Sequence, residues 1–544
     1  MMIRNLLLLM MLVAASSVNA FGQSSPAPIG PQGAPVPIAS GVKWTPAMWG
    51  AAFQSKADAT GGILEAPTIQ GGTASGLVAS AAMALPTNAT TLRLLSDKFR
   101  EIVSVRDFGA AGDGVADDTQ AIQAAINAIC SGSGGAPPYG SGGKITMPPG
   151  VFRISAVTFP CNGVVLEGAN NGNVNSGSLD YRGTVIHLTT PANTAAFAPS
   201  MVAADYGGGI RIAHLGVDGT DMAASATVFD FSWLQHSTLS DIVAYHVTNF
   251  FREIGGAQNL IEDVELFGFS GTGIEFGGGP CTGNLASCNT RGDLLRVTRV
   301  NMNSLPGYTS TCYAYHGLAQ SLDVTTSTCE SAAFGINAWC DTTAGNNGEA
   351  CPAFARFYDV EAEDCTTCVN LSDTQDAEFF GGYFLGRGVN STHVVNVFST
   401  NYGGNPASGA AGSYAQAIRF HGGRFGNAGG SIMNMGVSQF VIEGAQFFSG
   451  NLSDTERSVG APNIEVTGTG SATTPVQGII ANNLMCVASG EQPVGLYQSG
   501  VWLDANVNHV KVHDNEVSAC TAGGVSDKSS LTGSSNNNDL HDNG

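Results

Sequence analysis

Only 12% of this 544-residue chain is charged, and 22 Lys and Arg stand against 43 Asp and Glu. The net charge of −21 leaves no basic footprint, which excludes a protein that tracks a nucleic-acid phosphate backbone. Lys and Glu, which fill exposed helix surfaces, are scarce, and this argues against a helix bundle. Past the first twenty residues no apolar run is long enough to span a bilayer. What is plentiful is Gly, at 72 residues, together with Asn, Ser and Thr. That composition suits a β-rich fold with many tight turns.

The N-terminus reads as an address. Arg4 supplies a positive start, Leu6 to Ala15 form a short apolar core, and "SVNA" offers cleavage after Ala20. Residues 1–20 are therefore expected to be a signal peptide, and the mature chain to be secreted, extracellular or periplasmic. All 12 cysteines follow it, which predicts disulfides. The repeated text "TSTCYAYHG" and "TSTCESAAFG" pairs Cys312 with Cys329. Cys281 with Cys288, Cys340 with Cys351, Cys130 with Cys161 and Cys486 with Cys520 are the other expected bridges. Cys365 and Cys368 form a lone CxxC with no second one beside it, a poor zinc signature. His509 and His513 would share a helix face, but Val510 and Val512 alternate between them as in a strand.

Residues 21–100 begin as a Pro/Gly/Ser/Ala linker and continue around Trp44 and Trp49, in text similar to the neck segments of phage tail fibres and tailspikes. Then comes "VRDFGAAGDGVADDTQAIQAAI". A helix is expected from Thr119, because Ile122, Ala125, Ile126 and Ile129 fall on one face. Asp117 and Asp118 then sit at its N-cap and first turn, where carboxylates meet free amides. This motif, extended by "GGKITMPPGVFRIS", resembles the opening of the pectate-lyase-like superfamily. That group includes rhamnogalacturonases, polygalacturonases, epimerase-like proteins and phage tailspike depolymerases. The resemblance implies an all-β fold, a right-handed parallel β-helix with an N-terminal capping α-helix. The solenoid is expected over residues 101–525, followed by a disordered polar tail at 526–544.

Within the solenoid, "SDIVAYHV", "EDVELFGF", "LDVTTSTC", "YDVEAEDC" and "HDNEVSAC" share one frame, led by Asp241, Asp263, Asp323, Asp359 and Asp514. Strand alternation turns the residues one and three later inward, and the Asp with the residues two and four later outward. The outer face then carries Asp263, Glu265, Arg296, Asp323, Asp359 and Glu361 as candidate catalytic residues, with Phe267 and Glu363 as substrate-binding candidates. Carboxylates two residues or one coil apart are spaced roughly as glycosidases need. The competing account makes each Asp a turn residue bonding local amides, and for Asp241 and Asp514 it is favoured.

Departures narrow the activity. "NTD" and "RIK" are absent, and His316 and His421 stand in "YHGL" and "FHGG" rather than Gly-His-Gly. These gaps argue against polygalacturonase activity. Lys is nearly missing, so a lyase would use Arg. The reading is a polysaccharide-binding and polysaccharide-cleaving protein of glycoside hydrolase or polysaccharide lyase type. The hydrolase needs no cofactor, and Ca²⁺ enters only for a lyase. The rival is a non-catalytic adhesin. A homotrimer is left open, and neither nucleic acid nor a membrane span is expected.

Overall fold

The computed structural model describes residues 102–130, 142–172, 182–200, 207–278, 292–305, 307, 309–340, 351–399, 415–450, 452, 461–467, 476–487, 498–504, 507–528 and 538–544. Short strands at 83–84, 93–94, 174–175 and 178–179 are described as well. The chain forms two units, Met1–Ile102 and Val103–Gly544. In the first, Met83–Ala84 pairs antiparallel with Arg93–Leu94. The expected signal peptide, most of the neck and the Cys281–Cys288 bridge lie outside the described residues.

The second unit is a right-handed parallel β-helix. Each coil has three strands in order, exemplified by Ala353–Tyr358, Glu361–Cys365 and Thr367–Ser372. Stacked coils turn these into three parallel ladders. The third ladder has thirteen strands among the described residues. Neighbouring strands repeat at about 4.8 Å, so one coil's side chains lie over the same positions of the next.

The interior follows the expected alternation. Ile242, Val264 and Val360, each one residue after an Asp, are at most 1% exposed, as are Ala244, Leu266 and Ala362. In the middle coils the inner column of the first ladder is aromatic. Phe357, Phe379 and Phe420 stack with centroids 4.7 and 4.6 Å apart. The second ladder repeats this with Phe384 and Phe425 at 5.1 Å. Each stack adds about 0.5–1.5 kcal/mol beyond area burial.

Four expected bridges are present: Cys130–Cys161, Cys312–Cys329, Cys340–Cys351 and Cys486–Cys520. Cys365 and Cys368 are free and buried. Burial pushes the Cys368 thiol up, as does the neighbouring Cys365. Glu253 is an exception to the apolar interior. It is fully buried, and neither carboxylate oxygen has a hydrogen-bond partner. Desolvation raises its pKa well above the usual carboxylate range, opposed by the Asn259 side chain and aided by the charge of Asp230.

The helix Thr119–Cys130 forms where expected and buries Ile122, Ala125, Ile126 and Ile129 in the same core as Ile145 and Phe159 of the first coil. The aspartates before it differ from expectation in one respect. Asp117 does bond the helix, accepting from the Thr119 amide at 3.0 Å. Asp118, 2% exposed, instead points back and accepts from the amides of Ala111 and Gly112 at 2.6 and 3.1 Å. Its carboxylate clamps the glycine loop. Asp113 accepts from Val115 and Ala116, and Asp107 closes a capping box with Ser104. At the other end the solenoid runs past residue 525. Asp539–His541 pairs with Lys511–His513, so the expected disordered tail contains a further rung.

Candidate functional site

Between the first and second ladders the chain turns through one left-handed residue per coil. Register aligns His214, Asp241, Asp263, Arg299, Thr326, Asp359, Gly381, Gly422, Gly444, Asn482, Asp514 and Asp542 in one column, with φ between 47 and 76°. Gly, Asn and Asp tolerate this conformation best. This is why an aspartate frame is visible in the sequence, and it gives Asp241, Asp263, Asp359 and Asp514 a corner role.

Asp323 does not belong to that frame. It pairs in register with Arg296 and Arg356, three residues before the corner, which Thr326 occupies in its coil. The corner signal fails there because Arg299 and Thr326 stand where Asp or Gly is usual.

The expected outer set is thereby divided among three places. Asp263 and Asp359 lie at the corner. Asp263 holds Arg299 through two bonds, Nε to Oδ1 at 2.6 Å and Nη2 to Oδ2 at 2.9 Å. That guanidinium lowers the Asp263 pKa, so the group is a poor proton donor. Glu265, Phe267, Glu361 and Glu363 lie on the second ladder. The aligned residues Glu265, Asn301, Thr328 and Glu361 put three coils, about 14 Å, between the two glutamates. Arg296 and Asp323 lie on the first ladder, on adjacent coils. The structure does not bring the eight residues together.

It does bring together residues that alternation alone left unmarked. On the outer face of the first ladder, Arg356, Glu378 and Arg419 follow one another on successive coils. Arg356 Nε lies 3.5 Å from Glu378, and Arg419 Nη1 donates to Glu378 and Asp376, each at 2.7 Å. Two residues further along each strand come Tyr358, Phe380, His421 and Glu443. Their rings stack at 4.8 and 5.0 Å, and His421 Nδ1 lies 2.8 Å from Glu443 Oε1. Because the ring faces cover one another, Tyr358, 37% exposed, presents the open end of the stack. A groove of about 400 Å³ continues along this face, lined by Ala417, Arg419, Val441, Gln477, Ile479 and Lys511.

The signal for these residues is in the text: "RFYD", "EFFG", "RFHG" and "VIEG" repeat as outward, inward, outward, corner. It is found only when Gly is accepted as equivalent to Asp at the corner. No group of three or more His, Cys, Asp or Glu suited to a metal occurs among the described residues. No helix among them is long and apolar enough to cross a membrane.

The mannuronan C5-epimerase AlgE6 of Azotobacter vinelandii is 43% identical over 76 residues, 13% of this chain and 8% of that protein. The match thus spans less than a tenth of the relative's length. A DFA-IIIase from Arthrobacter chlorophenolicus A6, in complex with DFA-III, superposes with a TM-score of 0.52 at 12% identity, over 79% of this chain and 99% of that one. The tailspike of E. coli bacteriophage HK620, in complex with a pentasaccharide, gives 0.50 at 14% identity, over 85% and 84%. At these identities the likeness shows the fold. Residues 102–298, over a third of the chain, match the family model described as rhamnogalacturonase A/epimerase, pectate lyase-like, and this bears out the resemblance carried by the opening motif.

Proposed function

We propose that the chain binds a polysaccharide along the outer face of the first ladder and modifies it there by acid–base chemistry. The observation that carries this reading is the His421–Glu443 pair at 2.8 Å, on the same face as Arg419 and beside the groove. A carboxylate on Nδ1 fixes the ring and its tautomer, and leaves Nε2 to accept a proton. Glu378 and Asp376 each accept from the Arg419 guanidinium at 2.7 Å, so their part is to hold that cation in place. Arg419, held in place by both, stands about 7 Å along the strand from His421. A cation at that distance can neutralise a sugar carboxylate while the imidazole takes the proton beside it, the chemistry shared by uronate elimination and epimerisation. The relatives named epimerase and pectate lyase-like support the same class.

Hydrolysis is the second reading. Asp323 and Glu378 lie two coils apart on this face, about 10 Å, near the upper limit for an inverting pair. The test uses purified protein on alginate, polygalacturonate and neutral polymers. A rise in ultraviolet absorbance shows elimination. New reducing ends without it show hydrolysis. Exchange of the sugar proton with solvent, with neither, shows epimerisation. Binding with none of these makes the protein an adhesin and removes His421 from a catalytic role.

A further inference from the structure

Phe354 holds a backbone conformation that its side chain disfavours. Its φ is 64°, in the left-handed region where a β-carbon crowds the following carbonyl. It belongs to a second column of left-handed residues, near the start of the first-ladder strands, in which register aligns Leu294, Ser321, Phe354, Asp376 and Ala417. On the two adjacent coils the position is held by Ser321 and Asp376. Where another large ring takes such a conformation, it packs. Trp233, at φ 66°, lies so close over Gly255 that an added β-carbon there would sit 2.5 Å from the indole. Phe354 is 43% exposed and makes no ring contact among the described residues. Burial therefore does not offset its strain, although an exposed strained position is where Asn, Asp or Gly costs least.

Its location suggests what does. Asp376, one coil on, is the partner of Arg419. Ala417, two coils on and about 10 Å away, lines the groove. Tyr358, at the far end of the same strand, is the other exposed aromatic of this coil, with Arg356 between them. Among the described residues, five of the eight exposed large apolar residues stand on this ladder: Ile102 and Leu540 on its end strands, and Phe354, Tyr358 and Ile479 between them.

We propose that Phe354 is a saccharide-stacking residue at the rim of the first ladder, presenting its ring to a sugar two coils away from the groove. This rests on the reading that the first ladder carries the polysaccharide. An aromatic face covers the apolar side of a pyranose without needing hydrogen-bond partners, and the flanking Arg356 takes the polar edge.

The test measures binding of fluorescein-labelled alginate and polygalacturonate, with thermal unfolding, for the wild type, Phe354→Asn, Phe354→Trp and His421→Ala. Phe354→Asn is expected to bind the polymer that the wild type prefers about ten-fold more weakly, while its unfolding midpoint stays the same or rises. Phe354→Trp keeps wild-type binding. Undiminished binding in Phe354→Asn overturns the proposal, as does a fall in its unfolding midpoint that Phe354→Trp restores, since that marks a structural ring. A wild type that binds neither polymer overturns it too. His421→Ala separates the two readings: if it turns over normally while Phe354→Asn binds weakly, the acid–base site is wrong and the stacking residue stands.

Discussion

The stretch from Asp107 to Asp118 and the first-ladder face from Arg296 to Lys511 are both rich in charge, and they use it in opposite ways. In the opening motif every carboxylate is answered by main-chain amides a few residues away: Ser104 for Asp107, Val115 and Ala116 for Asp113, Thr119 for Asp117, Ala111 and Gly112 for Asp118. On the first ladder the partners are side chains from other coils, 22 to 43 residues distant, and they are only partly buried. Amide-bound acids fix a backbone. Acids bound to side chains hold other functional groups in place on a surface. Density of Asp and Glu does not separate these cases, whereas the identity of the partner does.

The largest effect should come from the ladder. His421→Ala or Glu443→Gln is expected to lower turnover about 10²- to 10⁴-fold, with unfolding and polymer binding unchanged. Steady-state rates beside a melting curve check this, and a folded variant of normal rate would break the contrast. Opening the Cys312–Cys329 bridge by Cys312→Ser with Cys329→Ser should cost about 3 kcal/mol for a loop of this size, read from denaturant unfolding of the two proteins. Asp118→Asn should cost about 1–3 kcal/mol, since one buried acceptor then meets two amides with a weaker, partly mismatched group. Turnover per folded molecule should be retained, and loss of chemistry without loss of fold would make the opening motif a site after all.

Two smaller effects sharpen the comparison through pH. Asp117 has its pKa lowered, first by the Thr119 side chain and then by the Thr119 amide. Its contribution is present above the unfolded carboxylate pKa near 4 and is lost as pH falls through the lower folded value. Asp117→Asn should therefore flatten the acid limb of the unfolding midpoint. Glu253 runs the other way. Its folded pKa is raised, so stability is full below the unfolded pKa and declines as pH rises towards the folded value. Glu253→Gln should show a shallower fall in midpoint between pH 5 and 8 than the wild type. Parallel curves would mean that Glu253 has a partner or a charge that its buried position does not provide.

Much of the fold was legible because its determinants are local. The helix stripe of Ile122, Ala125, Ile126 and Ile129, the inward Ile242, Val264 and Val360, and the duplicated text around Cys312 and Cys329 each fit within a few residues. The site was less legible because it is assembled across coils of unequal length. Asp323 falls three residues out of frame, since Thr326 fills a corner that most coils give to Asp or Gly. Glu265 and Glu361 look alike in the text but lie three coils apart. Arg356, Glu378 and Arg419 are far apart in sequence and meet only after the coils are stacked.

The corner itself has a consequence for how such a molecule can change. The step from first to second ladder takes two residues in coil after coil: Asp359 and Val360, Gly381 and Gly382, Gly422 and Gly423, Gly444 and Ala445. The return from third to first ladder varies freely, with residues 373–374 in one coil, 340–352 in another and 399–417 in a third. An insertion at the corner would rotate every following side chain from lumen to surface, whereas one at the return leaves the stacking intact. Novelty is therefore kept out of the corner and admitted at the other two steps, since the step from second to third ladder also varies, from residue 366 alone to 389–394. Of these two, the return borders the face that carries Arg356, Arg419 and His421. A lineage, or an engineer, can redraw the walls of the groove by splicing text into one edge while the scaffold beneath keeps its register.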